Sequence, residues 1–295
     1  MTLRECEEKG KLETENGHER DKRITFEEEG HKYFIDGVLY SELGYRSSTT
    51  FLHDFFPPFD TNRAIGFIMR SPKYTDDPEY RYYRKEAATI KAEWAELGRV
   101  ASEAGTKVHA DIEYYLNDIE VDNDSVEFTM FLTWKNDNKH LIPYRTEMLI
   151  YDEVNRITGS IDAIYWDPFQ KHFVLVDWKR SKAIKKSGGG KGYFPLEHLN
   201  NANFFHYSIQ LSLYRNIFER LYGMTVGGSV LVVIHPNQKR GYQQITVPYL
   251  KNEIEQMLQY RQLSLMLNGF IEVPDEIAND ELIRWDRIRD LPARH

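Results

Sequence analysis

Cysteine is almost absent from this chain, which has Cys6 alone among 295 residues. A single thiol excludes an intrachain disulfide framework and a cysteine-built zinc or iron–sulfur site. Long apolar runs are missing too: the most continuous is Val230–Ile234, whereas a membrane helix needs about 20 apolar residues. Residues 1–9 contain no apolar stretch like that of a signal peptide. We therefore expect a soluble, intracellular protein that has no membrane partner.

Positive charge is also in short supply, because 38 lysines and arginines face 46 acidic residues, a net charge of −8. This balance argues against a protein that wraps duplex DNA without regard to sequence, since such binding depends on neutralising many phosphates. It does not exclude an enzyme that acts on nucleic acid, because only the channel of such an enzyme must be basic.

Three apolar segments rich in Val, Ile, Phe, Tyr and Trp follow one another between residues 147 and 182. They are Met148–Tyr151, Thr158–Trp166 and Phe173–Trp178, and Asp167-Pro168 marks a turn between the last two. This composition is typical of paired strands, and the turn predicts a hairpin.

Charged residues interrupt these strands. Asp162 lies inside the second strand, and Asp177 ends the third strand two residues before Lys179. Residues two apart share a strand face, so Asp177 and Lys179 should point the same way, with Trp178 opposite. In a hairpin, Asp162 would lie roughly 5–8 Å from Asp177, and such carboxylates repel unless a cation lies between them. The pattern suits Mg²⁺ or Mn²⁺; an edge salt bridge beside a turn aspartate is the alternative.

Helical periodicity surrounds the strands. The sequence predicts helices at Tyr80–Val100, Ser102–Asn117, Phe128–Trp134, Asn203–Tyr222 and Lys251–Leu267, and further strands at Val226–His235 and Gln243–Val247. Residues 24–35 predict a small hairpin, and residues 47–52 a capped short helix. We expect an α/β fold: a mixed central β-sheet flanked by helices, with an N-terminal β-hairpin and helical extension. The expected division is a disordered tail at 1–22, a hairpin and helical subdomain at 23–99, a core at 100–273 and a C-terminal tail at 274–295.

Three short motifs occur in order along the chain. Ile161-Asp162 followed by Asp177-Trp178-Lys179 resembles the signature of the PD-(D/E)XK nuclease superfamily, with Ile161 in place of the proline. Gly105-Thr106-Lys107-Val108-His109 resembles the histidine motif of its RecB-like exonuclease branch, and Gln210-Leu211-Ser212-Leu213-Tyr214 resembles that branch's Gln-x-x-x-Tyr motif. The resemblance covers about residues 100–235 and implies a restriction-endonuclease-like core of order αβββαβ.

The resemblance implies a metal site for Mg²⁺ or Mn²⁺. Its ligands would be Asp162, Asp177, His109 and the backbone carbonyl of Trp178. Glu147 begins the first strand, where relatives often carry an acid, and an exposed strand-edge glutamate is the alternative. A lone helical histidine is otherwise more often a core or capping residue.

The resemblance also implies catalytic side chains. Lys179 would orient and help to deprotonate the attacking water, and Asp162 and Asp177 would act with it through the metal. Gln210 and Tyr214 would position the strand or the lysine.

Basic residues cluster in two places. Residues 179–191 carry six cations and no acid: Lys179, Arg180, Lys182, Lys185, Lys186 and Lys191. They are apt for gripping phosphates, and Ser187-Gly188-Gly189-Gly190 predicts a mobile segment. The second cluster interleaves Arg81, Arg84 and Lys85 with tyrosines, as channels for single strands do. A solvated loop and a solvated helix face are the alternatives.

Together these features predict a metal-dependent DNA nuclease, more an exonuclease than an endonuclease. It would hydrolyse phosphodiesters of single-stranded or end-exposed DNA in replication, repair or recombination. Two alternatives remain open: a nucleic-acid-binding module of the same fold without catalysis, and a metal-dependent hydrolase of a small phosphoester.

Overall fold

The structure is a computed structural model that describes residues 10–272. Its helices are α1 (Lys11–Glu15), α2 (Ser48–His53), α3 (Thr61–Met69), α4 (Pro72–Asp76), α5 (Ala87–Leu116), α6 (Val126–Asp137), α7 (Asn203–Tyr222) and α8 (Lys251–Leu267), with a 3-10 helix at Glu19–Arg23. Its strands are β1 (Ile24–Glu27), β2 (Lys32–Ile35), β3 (Val38–Leu39), β4 (Arg46–Ser47), β5 (Ile142–Asp152), β6 (Ile157–Asp167), β7 (His172–Lys179), β8 (Val226–Val233) and β9 (Gln243–Val247). Within residues 10–272, no helix combines the length and the apolar character needed to cross a membrane.

A mixed sheet of six strands forms the centre of the molecule. β5 runs antiparallel to β6, and β6 antiparallel to β7. β7 runs parallel to β8, which pairs antiparallel with β9, while β4 runs parallel to the start of β6. A parallel pair needs a crossover connection, and α7 provides it between β7 and β8. The predicted α/β fold with a mixed sheet flanked by helices is confirmed.

Helices cover both faces of the sheet. On one face, α7 and α8 pack against a core that includes Ile164, Leu175 and Leu231. On the other face, α5 and α6 pack against a core that includes Val176 and Trp178. Strands buried on both faces read as continuous apolar runs, so a charged residue inside them needs a specific partner.

The N-terminal hairpin and the capped short helix are both present. β1 pairs with β2 in antiparallel register. The Ser47 hydroxyl accepts a hydrogen bond from the backbone N–H of Thr50 at 3.2 Å and so caps α2. Both elements confirm local sequence predictions.

The predicted disordered tail is wrong for residues 10–22, which are docked against β5. Arg145, with 4% of its side chain exposed, forms an ion pair with Asp21 at 2.7 Å, and Leu12 enters the core beneath α5. The polar composition of this segment gave no sign of the docking, because its bonding partners Arg145 and Asn117 lie more than 100 positions away along the chain. Residues 1–9 and the predicted C-terminal tail at 274–295 lie outside the described residues.

The predicted helices Tyr80–Val100 and Ser102–Asn117 form one continuous helix that begins only at Ala87, so the predicted start at Tyr80 is wrong. α5 has 30 residues and is therefore about 45 Å long. Ser102 does not break it, because a serine inside a helix costs only about 0.5 kcal/mol relative to alanine. The predicted boundary between residues 99 and 100 falls within this helix.

Candidate metal and catalytic site

Glu147 and Asp162 face each other across β5 and β6. The flanking ladder pairs are Thr146–Ala163 and Met148–Ile161. Glu147 has a φ of 44°, in the left-handed region that residues with a Cβ seldom adopt. Such strain persists where the surrounding structure imposes it, and it concentrates at functional sites.

His109 brings α5 to this pair of carboxylates. Its Nδ1 lies 3.4 Å from Oε1 of Glu147 and 3.6 Å from Oδ2 of Asp162. Its Nε2 lies 3.0 Å from the backbone oxygen of Trp178. Because a carbonyl can only accept, Nε2 carries the hydrogen, and Nδ1 of the neutral ring directs its lone pair at the carboxylates. Metal-binding histidines are usually oriented in this way, with the second nitrogen donating to a carbonyl or carboxylate.

One ligand atom from each of His109, Glu147 and Asp162 lies within 4.8 Å of the others. The second carboxylate oxygen of Glu147 accepts from Ser160 Oγ at 2.9 Å, and Oδ2 of Asp162 accepts from the backbone N–H of Trp178 at 2.9 Å. These bonds hold both carboxylates in place. One nitrogen and two carboxylate donors could bind a divalent metal ion, which would also relieve the repulsion between the carboxylates.

The charges of this group shift one another's pKa. Burial and the nearby charge of Asp177 raise the pKa of Asp162 to about 7. Burial lowers the pKa of His109, but the charges of Asp162 and Glu147 outweigh it and raise the value to about 9. At neutral pH the imidazole therefore holds the proton that a metal ion would have to displace.

Binding of Mn²⁺ at pH 7.5 is accordingly expected to release about one proton, because His109 must be neutral to coordinate. The apparent affinity should rise by up to about tenfold per pH unit and level off above pH 9, since the pKa of His109 is about 9. Titration calorimetry in two buffers with different heats of ionisation counts the protons. Binding without proton release would contradict His109 as a ligand.

Asp177 and Lys179 lie on the face of the sheet that α7 covers. Nζ of Lys179 lies 2.8 Å from Oδ2 of Asp177 and forms an ion pair with it. The same Nζ lies 4.9 Å from the ring centroid of Tyr207 on α7. Burial lowers the pKa of Lys179, but Asp177 and Asp162 outweigh it and raise the pKa above its usual range. The lysine is therefore an ammonium ion at neutral pH.

The ladder between β6 and β7 ends at Ala163–Val176, one position before Asp162 and Asp177. The strands therefore stop pairing at the two aspartates. Asp177 is not part of the three-residue group that includes Asp162, and its role as a metal ligand stays a prediction. The Trp178 carbonyl is bonded to His109, and direct metal binding by this carbonyl also stays a prediction.

Gln210 and Tyr214 of α7 are linked by hydrogen bonds to Ser48 in the N-terminal region. Gln210 Nε2 donates to the Tyr214 hydroxyl at 3.0 Å, and that hydroxyl also bonds Ser48 Oγ at 2.8 Å. The sequence analysis missed Ser48 and Tyr207. Tyr207 could have been found from the sequence. It lies three residues before Gln210 and seven before Tyr214, and residues at these spacings share one face of a helix. Ser48 is 166 positions from Tyr214, so no local pattern pointed to it.

Gly159→Ala is expected to lower the free energy of unfolding by about 1–3 kcal/mol, as overpacking of a core does. A Cβ at this position would lie 2.7 Å from Cε1 of Tyr214 and 3.1 Å from the Ser48 hydroxyl, so the ring would have to move. Denaturant unfolding measures the loss. Gly98→Ala is the control, because a Cβ there meets nothing within 4 Å and helix propensity predicts a gain of up to about 1 kcal/mol. Equal stability of Gly159→Ala and wild type would contradict the tight packing.

The cations of residues 179–191 differ in their partners. Arg180 forms an ion pair with Glu127 of α6 at 2.8 Å, so its charge is already matched. Lys186 lies 4.5 Å from the ring centroid of Phe204, and Lys191 donates to the backbone oxygen of His198 at 3.3 Å. Lys182, Lys185, Lys186 and Lys191 are exposed. Their contact with DNA stays a prediction.

Among the three consecutive glycines of this segment, Gly188 serves close packing, whereas Gly189 and Gly190 have open space around them. A Cβ at Gly188 would lie 1.9 Å from the backbone oxygen of Asn201, which only glycine permits. The segment folds back on residues 199–204 through backbone hydrogen bonds from Asn201 to Gly190 at 3.0 Å and from Phe204 to Lys185 at 3.2 Å. The sequence interpretation of these glycines as a source of mobility overlooked the packing of Gly188, and mobility of the segment stays a prediction.

The cluster of Arg81, Arg84 and Lys85 lies far from the metal group. Arg81 lies 3.8 Å from Glu93 of α5, and Lys85 pairs with the same carboxylate. Arg84 donates to the backbone oxygen of Thr75 at 3.4 Å. Glu93 lies about 24 Å from His109 along the helix axis. The structure does not bring this cluster to the site, and its contact with a strand stays a prediction.

An open cavity of 260 Å³ adjoins His109 and Glu147. Its opposite wall is the N-terminal hairpin, which contributes Phe26, Glu28, His31 and Tyr33. The N-terminal region therefore shapes the approach to the candidate metal group from this side.

No protein-family model and no curated protein matches this chain. Among solved structures, that of the protein SSO0001 is 16% identical, over 86% of this chain and 82% of that one, with a TM-score of 0.33. The structure of a "putative exonuclease" from Eubacterium rectale is 10% identical, over 81% of this chain and 89% of that one, with a TM-score of 0.33. Similarity this remote assigns neither a family nor a function to this chain.

Proposed function

We propose that this protein is a divalent-metal-dependent nuclease that hydrolyses the phosphodiester bonds of DNA. The observation that carries the proposal is the convergence of one ligand atom each from His109, Glu147 and Asp162 within 4.8 Å, beside the ion pair of Lys179 and the buried Asp177. Carboxylates suit Mg²⁺ and Mn²⁺ alike, whereas an imidazole ligand favours transition metals. We therefore expect Mn²⁺ to bind more tightly than Mg²⁺.

Each residue has a role in this proposal. A bound divalent cation would lower the pKa of a water molecule and offset the charge of the phosphate. Glu147, Asp162 and Nδ1 of His109 would hold the cation. Lys179 would donate hydrogen bonds to a phosphate oxygen and to the attacking water, and Asp177 would hold the ammonium in position. Because the pKa of Lys179 is raised, its contribution is charge and orientation rather than the acceptance of a proton.

Exonuclease action on single-stranded or end-exposed DNA, in replication, repair or recombination, is the finer part of the proposal. Its basis is the sequence resemblance to the RecB-like branch. The test is digestion of 5′- and 3′-labelled single- and double-stranded DNA with Mn²⁺, Mg²⁺ or EDTA. We expect cleavage with either metal, none with EDTA, and mononucleotides or short oligonucleotides released from an end. Tight DNA binding without cleavage would favour a non-catalytic binding module instead, and cleavage of small phosphoesters alone would favour the small-substrate hydrolase.

His109→Ala is expected to weaken Mn²⁺ binding by roughly 10–100-fold, and a high Mn²⁺ concentration should restore part of the cleavage. Calorimetric titration with Mn²⁺ measures the affinity. His198→Ala is the control, because His198 is an exposed histidine paired with Glu253 and should not affect the titration. A lower melting temperature with an unchanged metal titration would instead identify His109 as a structural residue only.

A further inference from the structure

Helix α3 presents a phenyl ring to solvent between two arginines. Phe67 is 58% exposed, and the guanidinium carbons of Arg63 and Arg70 lie 5.7 and 5.1 Å from its ring centroid. Both arginines are exposed, and among residues 10–272 no carboxylate pairs with either guanidinium. The helix contains no acidic residue. These two charges are therefore available to an anionic ligand.

A second exposed ring precedes the helix. Phe59 is 73% exposed, and its ring centroid lies 6.1 Å from that of Trp94 on α5. The indole N–H of Trp94 donates a hydrogen bond to the Tyr82 hydroxyl at 2.8 Å, which fixes the orientation of the ring next to Phe59. Exposed rings beside unmatched cations are the elements of single-strand binding, because bases stack on the rings while arginines contact phosphates.

This surface lies at the far end of α5 from the metal group. Helix α3 packs against α5, and Ile65 of α3 and Ile90 in the first turn of α5 are both buried. Trp94 lies about 22 Å from His109 along the helix axis, which corresponds to about six or seven nucleotides at the 3.4 Å rise of a stacked strand and to fewer nucleotides of an extended single strand. Residues 95–103, between the two sites, are all exposed, so this stretch of α5 is open to a passing strand.

We propose that Phe59, Arg63, Phe67 and Arg70 form a second DNA-binding site, the α3 site, that holds single-stranded DNA at this distance from the metal group. The inference rests on the proposed nuclease function. The α3 site would let the enzyme bind DNA strands that extend beyond the active site. Arg81 and Lys85 pair with Glu93, so they contribute less than the free arginines of α3. A protein partner fits less well, because cations flank the exposed ring of Phe67.

The test is fluorescence anisotropy of labelled oligo(dT) of 20 nucleotides, in EDTA so that nothing is cut. Phe67→Ala should weaken binding of the 20-mer by about 5- to 150-fold, the range expected for one stacked base. Arg63→Gln with Arg70→Gln should reduce the salt slope by about 1.4. An oligo(dT) 4-mer serves only in the cleavage assay below. Phe169→Ala is the matched control, because it removes a phenyl ring that is 77% exposed in the β6–β7 turn.

The two proposals fail separately. Unchanged 20-mer affinity and salt slope in the α3 variants would overturn the α3 site, whether or not the protein cleaves DNA. Mn²⁺-dependent cleavage of the 4-mer tests the nuclease function alone, and the α3 variants should match wild type in it. If 20-mer binding depends on α3 while even wild type cleaves nothing, the α3 site stands and the nuclease proposal fails. Melting temperatures within about 2 °C of wild type are expected, because surface substitutions seldom change stability by more than 0.5 kcal/mol.

Discussion

Asp162→Asn is expected to reduce metal-dependent DNA cleavage by at least about a thousandfold, because a bound metal supplies several kcal/mol of transition-state stabilisation. Asparagine keeps an oxygen that can accept the 2.9 Å hydrogen bond from Trp178, so the local fold should survive. The measurement is the initial rate of cleavage of labelled single-stranded DNA across a Mn²⁺ titration. Asp167→Asn, which alters the acid at the end of the same strand, is the control and should cleave normally. Near-normal cleavage by Asp162→Asn would contradict the ligand assignment.

The same variant should be more stable than wild type when the metal-free proteins are compared at pH 9.5. The pKa of Asp162 is raised to about 7 and that of His109 to about 9. Both folded values exceed the unfolded ones, so wild-type stability falls as pH rises from about 4 to 7 and again from about 6.5 to 9. Above pH 9 the wild type holds an ionised Asp162 without the imidazolium charge. Denaturant unfolding in EDTA should then show a higher free energy of unfolding for Asp162→Asn than for wild type, and this advantage should shrink at pH 6.

Lys179→Ala is expected to lower turnover by about 100- to 1000-fold, the loss typical of removing one charge-stabilising donor. The Mn²⁺ titration should keep its midpoint, because an ammonium cannot bind a metal ion. Asp177, with 3% of its side chain exposed, would also lose its partner, at a cost of about 3 kcal/mol. Single-turnover cleavage and circular dichroism at the assay temperature separate the catalytic loss from unfolding. Lys171→Ala in the β6–β7 turn is the control.

Lys179→Arg should rescue little of this activity. The ammonium lies 2.8 Å from Asp177 and 4.9 Å from the Tyr207 centroid, and a planar guanidinium on a longer side chain would place its donors differently from a compact ammonium. Activity of the arginine variant equal to wild type would show that charge alone matters at this position. A displaced Mn²⁺ midpoint in either variant would mean that Lys179 also supports the metal ligands.

Much of the fold could be predicted because periodicity is a local property of the chain. The predicted bounds of α7, α8 and β9 match the structure residue for residue. Local patterns failed where distant contacts decide, as for residues 10–22, whose ion pair with Arg145 joins positions 124 apart. They also failed at Ser102, where they predict the start of a new helix although the helix α5 continues through it.

By itself, the sequence determined the order of strands and helices and the presence of Asp162, Asp177 and Lys179 in otherwise apolar strands. Only the tertiary structure decided which carboxylates meet His109. Glu147 joins the group because of the register between β5 and β6 and its left-handed backbone, and Asp177 turns to Lys179 instead. The contacts of His109 with Glu147 and Trp178 join positions 38 and 69 apart. Such contacts depend on where α5 crosses the sheet. The position of that crossing cannot be predicted from the composition and spacing of residues within one segment.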